Sequence, residues 1–153
     1  MYRQAVDIEL NIPERRRYCA EAYYDIGIIL NLQEEYDDAM KMLRKALGIQ
    51  LEVVGNRHQE VASSYFAMGD VVENQVKYKE ALKMYRHSLE INLNIPECRE
   101  DYYNTGHVLT KYNQHTKARA MYQQALDIYL KAHNEGRENV AHIRQHIANL
   151  LSI

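Results

Sequence analysis

The sequence predicts an all-α fold in which antiparallel helix pairs stack into an array of about eight helices. Three observations carry that expectation. The chain repeats itself, apolar residues within each copy fall at helical spacing, and chain-breaking residues are scarce. Six glycines and two prolines in 153 residues compare with roughly ten and eight in an average chain. A barrel or sandwich of many short strands needs more turn formers than that.

The repeat is written out openly. Met1-Tyr2-Arg3-Gln4-Ala5-Val6-Asp7-Ile8 returns as Met42-Leu43-Arg44-Lys45-Ala46-Leu47-Gly48-Ile49, then from Met84 to Ile91, then from Met121 to Ile128. A second element, Tyr23-Tyr24-Asp25-Ile26-Gly27, is echoed by Tyr65-Phe66-Ala67-Met68-Gly69 and Tyr102-Tyr103-Asn104-Thr105-Gly106. A third, Tyr36-x-x-Ala39, returns as Tyr78-x-x-Ala81 and His115-x-x-Ala118. Gly27, Tyr36 and Ala39 each stand 42 residues before their first echo, and the second echo follows 37 residues later. Independent elements that keep a common offset define a repeat array.

Taken in order, residues 1–14 read as the second helix of a partial repeat, because Met1 aligns with Met42, Met84 and Met121. Residues 15–55 form the first full repeat. Pro13 opens its first helix, at a position where a missing N–H costs nothing. Tyr23, Ile26, Gly27 and Leu30 then occupy one helix face at i, i+3, i+4 and i+7. Only Gln33-Glu34-Glu35 separates this helix from the next, so the two must fold back antiparallel. Tyr36, Ala39, Met40, Leu43, Ala46 and Leu47 continue the apolar face on the second helix, and Asp37 and Asp38 sit at its start, where the helix dipole favours anions.

Residues 56–97 and 98–134 repeat this plan, with Pro96 in the place of Pro13, and residues 135–153 supply the first helix of a last partial repeat. That last helix carries Ile143, Ile147, Leu150, Leu151 and Ile153 with no helix following. Arrays need polar caps, because each unit buries its face on a neighbour. The sequence therefore suggests an excerpt from a longer array, or an end that packs on another copy, with a simple terminal cap as the plain alternative.

Glycines 27, 69 and 106 and alanines 39, 81 and 118 are expected at close helix crossings, with Tyr23, Tyr65, Tyr102, Leu30, Val72 and Leu109 filling the space around them. Tyrosine is abundant, thirteen against one phenylalanine and no tryptophan, because an aromatic place is reused in each copy. Its expected role is packing rather than chemistry.

Other classes find little support. No apolar run approaches the roughly 18–20 residues of a membrane span, and Met1-Tyr2-Arg3-Gln4 does not begin a signal peptide. A net charge of −2 gives no general pull toward nucleic acid or anionic membrane, and Arg15-Arg16-Arg17 is too short to do so alone. Cys19 and Cys98 occupy equivalent places two units apart, too far for a disulfide, and are expected as buried or half-buried free thiols in a cytoplasmic protein. His142 and His146 are spaced i, i+4, but no glutamate lies between them and no third ligand is near. No metal or other cofactor and no catalytic residue is expected.

The pattern Tyr23-x-x-Ile26-Gly27-x-x-Leu30, Tyr36-x-x-Ala39, Leu43-x-x-Ala46, with its echoes through Tyr122-x-x-Ala125, resembles the tetratricopeptide repeat over essentially the whole chain. The 42-residue spacing is similar to the kinesin-light-chain-like variety. Departures lie in the last helix, where Arg144 replaces the aromatic and Ala148 the glycine. The resemblance implies a right-handed superhelical α-solenoid whose concave groove is lined by the first helix of each pair.

It also implies which residues face a ligand. The first repeat offers Glu21, Tyr24, Asp25, Ile28, Asn31 and Leu32. The second offers Ser63, Phe66, Ala67, Asp70, Glu73 and Asn74, and the third offers Glu100, Tyr103, Asn104, His107, Thr110 and Lys111. The last helix adds His142, Gln145, His146 and Asn149. Some relatives clamp a C-terminal carboxylate with lysine, asparagine and arginine at these places. Here Asn104 alone matches in type, so that ligand is not expected. The aromatic row Tyr24, Phe66 and Tyr103 beside Asp25, Asp70, Glu73 and Glu100 suits a peptide or helix with apolar anchors and some Lys or Arg.

The expected function is thus a noncatalytic protein–protein interaction scaffold. Two alternatives stand beside it: a self-assembly module joined through apolar terminal helices, and a targeting or regulatory segment of a larger signalling protein or enzyme.

Overall fold

The computed structural model describes residues 13–92, 99–131 and 137–152. Most of the helix expected over residues 1–14 lies outside these, as do Pro96, Cys98, His133 and Ile153. Seven helices and no strand occur among the described residues: α1 (Pro13–Leu32), α2 (Tyr36–Val53), α3 (Gln59–Asn74), α4 (Tyr78–Asn92), α5 (Arg99–Lys111), α6 (His115–Lys131) and α7 (Arg137–Leu151). Pro13 opens α1, and Gln33-Glu34-Glu35 alone joins α1 to α2.

Helices α1 and α2, α3 and α4, and α5 and α6 pack as pairs, and α2 on α3, α4 on α5 and α6 on α7 join the pairs into an α-solenoid. The three turns inside the pairs are built alike. Glu34, Val76 and Asn113 each adopt a left-handed conformation, at φ of 63°, 63° and 57°. Their N–H groups bond back three residues, to Asn31, Glu73 and Thr110, and the following N–H bonds back five, from Glu35 to Leu30, Lys77 to Val72 and Gln114 to Leu109. Paired bonds of this kind satisfy the last carbonyls of a helix. Glycine usually occupies such a position, and this chain uses none there.

The core runs as a strip between the layers. At one end Ala39, Leu43, Ala67, Met68 and Val71 pack together, with Ile28 and Tyr24 against them. A larger cluster extends from Val72, Leu82 and Tyr85 through Val108 and Tyr122 to Ile143. Alanines 39, 81 and 118 are fully buried. The three repeat glycines make room for one large side chain of the paired helix rather than for a small one. A Cβ on Gly27 would stand 2.7 Å from the Leu43 side chain, one on Gly69 2.5 Å from the Tyr85 ring, and one on Gly106 3.0 Å from the Tyr122 ring.

Within α7, Ile143 is 1% exposed, Ile147 and Leu150 pack against the core, and Leu151 is 65% exposed. One expectation needs correction. Cys19 is exposed rather than buried, about a quarter turn round α1 from its buried residues Ala20 and Gly27.

Candidate functional site

Hydrogen bonds tie the first helices of successive pairs to one another. Asn74 Nδ2 of α3 donates to Asn31 Oδ1 of α1 at 3.1 Å. Arg17 of α1 pairs with Glu60 of α3. His107 Nδ1 of α5 lies 2.9 Å from Glu73 Oε1 of α3, and Lys111 Nζ stands 3.8 Å from the same oxygen. Tyr103 Oη of α5 lies 3.2 Å from His146 Nε2 of α7. The residues named for this face by their place in the repeat are therefore in mutual contact from α1 to α7.

Their availability differs. Tyr24 is half-buried, and burial, with Asp70 and Asp25 nearby, raises its pKa. Asp25 is exposed. Ile28 leans into the core and leaves only part of its surface free. Phe66 sets its ring 5.4 Å from that of Tyr85. Tyr103 packs on Tyr122 at 5.7 Å, and Asn104 beside it is half-buried. His142, Gln145 and Asn149 are exposed, with Gln145 Nε2 donating to Asn149 Oδ1 at 2.8 Å. His146 stacks on Tyr122 at 5.1 Å with 16° between the rings. Burial and the neighbouring His107 and His142 lower its pKa, so this ring favours the neutral form.

Asp70 and Glu73, which the sequence placed as acids beside the aromatic row, have partners within the chain. The hydroxyl of Tyr85, from the second helix α4, lies 2.6 Å from Asp70 Oδ1 and 2.8 Å from Glu73 Oε2. One phenol proton thus lies between two carboxylates. Glu73 is half-buried, but His107, Tyr85 and Lys111 together outweigh that burial and lower its pKa. Asp70 has the Tyr85 hydrogen bond but, among the described residues, no cation beside it. Burial raises it to about 6, with Glu73, Asp101 and Glu100 adding to the effect. The Tyr85 hydroxyl donates toward both carboxylates, and Asp70 is the one that takes up a proton first as pH falls. Glu73 is thus held as a carboxylate by partners within the chain, and Asp70 becomes protonated only as pH falls through about 6.

Open cavities lie along this face, including one of about 690 Å³ bordered by Glu21, Tyr24 and Ser63. Another of about 450 Å³ is lined by Asn31, Asp70, Glu73, Asn74, Tyr78, His107 and Lys111. A third of about 340 Å³ includes Tyr24, Ser63, Phe66, Glu100 and Asp101. Side chains from second helices, Tyr85 and Tyr122, form part of the underlying floor, and reading by repeat place missed them. Their signal was present: each follows its glycine by 16 residues, Gly69 to Tyr85 and Gly106 to Tyr122. Among the described residues no group of three or more His, Cys, Asp or Glu is placed to hold a metal ion. Also among them, no helix is long and apolar enough to cross a membrane.

A family model described as tetratricopeptide repeat matches residues 1–94, and a second with the same description matches residues 102–131. No curated protein matches the sequence significantly. Similar solved structures include BtubC (BKLC) from P. vanneervenii, at 17% identity and a TM-score of 0.77, covering 87% of this chain and 55% of that one. The apo form of RapI is similar at 18% identity and a TM-score of 0.80, covering 97% and 54%. The nearly identical TPR-like repeats assigned to a kinesin light chain of Podosopora anserina are similar at 12% identity and a TM-score of 0.75, covering 92% and 67%. This chain spans about half the length of the first two. At such identities the likeness is one of fold.

Proposed function

Given that this chain belongs to the tetratricopeptide-repeat family, whose members are protein-interaction scaffolds and typically noncatalytic, we propose that it binds a peptide or helix of a protein partner along the face formed by α1, α3, α5 and α7. The observation that carries this reading is the continuity of that face. Exposed acids (Asp25, Glu100), half-buried aromatic rings (Tyr24, Phe66, Tyr103) and open cavities follow one another across successive first helices. Rigid aromatic groups beside polar ones give apolar anchoring with orientation. The cross-helix hydrogen bonds hold the face in place, which limits the ordering cost of binding.

The test is selection of peptides from a random library displayed against the chain. Selected peptides should lose affinity when Asp25→Lys and Glu100→Lys are combined, since both residues are exposed and can be reversed without disturbing the core. Lys83→Glu, on an exposed position of α4, should leave binding unchanged. The opposite pattern would move the site to the second helices.

A further inference from the structure

The three seams between one pair and the next can be compared place by place. At the first seam Ser64 Oγ donates to Gln50 Oε1 at 2.7 Å, and both residues are buried. The equivalent places at the third seam hold Tyr129 and Ile143, again buried and without charge. At the middle seam they hold Asn92 and Asp101, 8% and 4% exposed. Asn92 Nδ2 donates to Asp101 Oδ2 at 2.9 Å, and Ser88 Oγ lies 3.1 Å from both carboxylate oxygens. These donors are neutral, and among the described residues no cation pairs with Asp101. A buried carboxylate is costly unless it is neutralised or paired, and burial together with Glu100 raises the pKa of this one.

A second observation is independent of that charge. Because the Asn92 amide nitrogen faces Asp101, its oxygen is turned away, and Asn92 Oδ1 is buried without a hydrogen-bond donor. Asn92, Ser88, Asp101 and Glu100 all line the 340 Å³ cavity on the first-helix face, with the rings of Tyr24 and Phe66 among its other walls. Two carboxylates and an unpaired amide oxygen thus gather here, while Gln59 and Ser63 are among the cavity's other polar walls. Arg99 borders the same cavity, but its guanidinium lies over the Tyr129 ring at 5.0 Å.

We propose that this cavity receives an arginine side chain of the bound partner, with its guanidinium shared among Asp101, Asn92 Oδ1 and Glu100 and flanked by Tyr24 and Phe66. A planar guanidinium presents several N–H donors in a fork that matches a carboxylate and a neighbouring carbonyl, and its faces tolerate aromatic rings. The inference rests on reading the first-helix face as a peptide site, and it adds which residue of the peptide is recognised and where.

The experiment titrates the full-length chain, labelled with nitrogen-15, with N-acetyl-arginine methylamide, its citrulline counterpart and the lysine counterpart. The arginine probe should shift the Asn92 side-chain amide signals saturably, and citrulline, equal in shape but uncharged, should not. Lysine should bind more weakly. Asp101→Asn, equal in size, and Glu100→Gln, on an exposed residue, should each weaken the arginine probe, the former by about tenfold or more, as expected for a charge-assisted hydrogen bond. Equal shifts from citrulline, saturation at resonances remote from Asn92, or no saturable shift would each overturn the inference. Failure here is distinct from failure of the peptide face. Display-selected peptides that tolerate replacement of every arginine by citrulline, yet are lost with Asp25→Lys and Glu100→Lys, would leave the face standing and remove the cavity's role.

Discussion

The Tyr85 hydroxyl stands 2.6 Å from Asp70 Oδ1, joining the buried second helix of one repeat to the ligand-facing side of its first. The ring of Tyr85 is fully buried beneath Gly69, so a packing residue also sets the charge of the face above it. Removing the hydroxyl with Tyr85→Phe should cost about 1–2 kcal/mol, because it leaves Asp70 without that partner. The Asp70 titration should move further upward at the same time, since the Tyr85 hydrogen bond lowers it. Urea unfolding and carboxyl NMR titration measure the two effects separately.

Stability should fall as pH rises past 5. Folding lifts Asp70 from its ordinary 3.8 to about 6, so the native chain holds this proton more tightly than the unfolded chain does. That contribution is complete below 3.8 and is lost as pH rises through about 6, a decline of about 1 kcal/mol between pH 5 and 7. Asp101, also raised, acts in the same direction; Glu73, lowered from 4.5, acts oppositely at lower pH, and His146, lowered from 6.5, offsets part of the decline as pH rises toward 6.5. Asp70→Asn should therefore flatten the decline without abolishing it. Denaturant midpoints across that range provide the check.

Two glycines in helices should respond in opposite ways to alanine. A Cβ at Gly69 would meet the Tyr85 ring at 2.5 Å, and overpacking of this kind costs ~1–3 kcal/mol, more than the ~1 kcal/mol gained in helix propensity. At Gly48 a Cβ meets nothing within 4 Å, so Gly48→Ala should stabilise by about 1 kcal/mol. Thermal unfolding of the two variants should shift Tm down and up respectively.

Val76 is exposed and holds a left-handed conformation that β-branched residues disfavour. Val76→Gly should raise stability by about 1 kcal/mol. Thermal unfolding would show the gain.

What the sequence made readable follows from what is local. The 42- and 37-residue offsets, the position of Pro13 and the spacing of Tyr23, Ile26, Gly27 and Leu30 located helices and turns, because those depend on neighbours along the chain. The state of Glu73 did not depend on neighbours. It is set by His107, 34 residues away, and by Tyr85, which its helix position marked as core. Val76 concealed its turn geometry because a valine carries no signal for positive φ. The seam formed by Asn92 and Asp101 was equally hidden, since its significance appears only beside the neutral Gln50 and Ser64 of the preceding seam. In the last helix the sequence showed which residues are apolar but not which of them meet the preceding pair; Ile143, Ile147 and Leu150 do.

The central claim is that partners dock on the first-helix face, and site-directed photocrosslinking tests it most directly. Benzoylphenylalanine would be placed at position 66 on α3 in one sample, and at exposed positions 83 on α4 and 124 on α6 in two others. Each sample would be irradiated with the same display-selected peptide. The account predicts a peptide adduct from position 66 and none from 83 or 124. Adducts from 83 or 124 with none from 66 would contradict it.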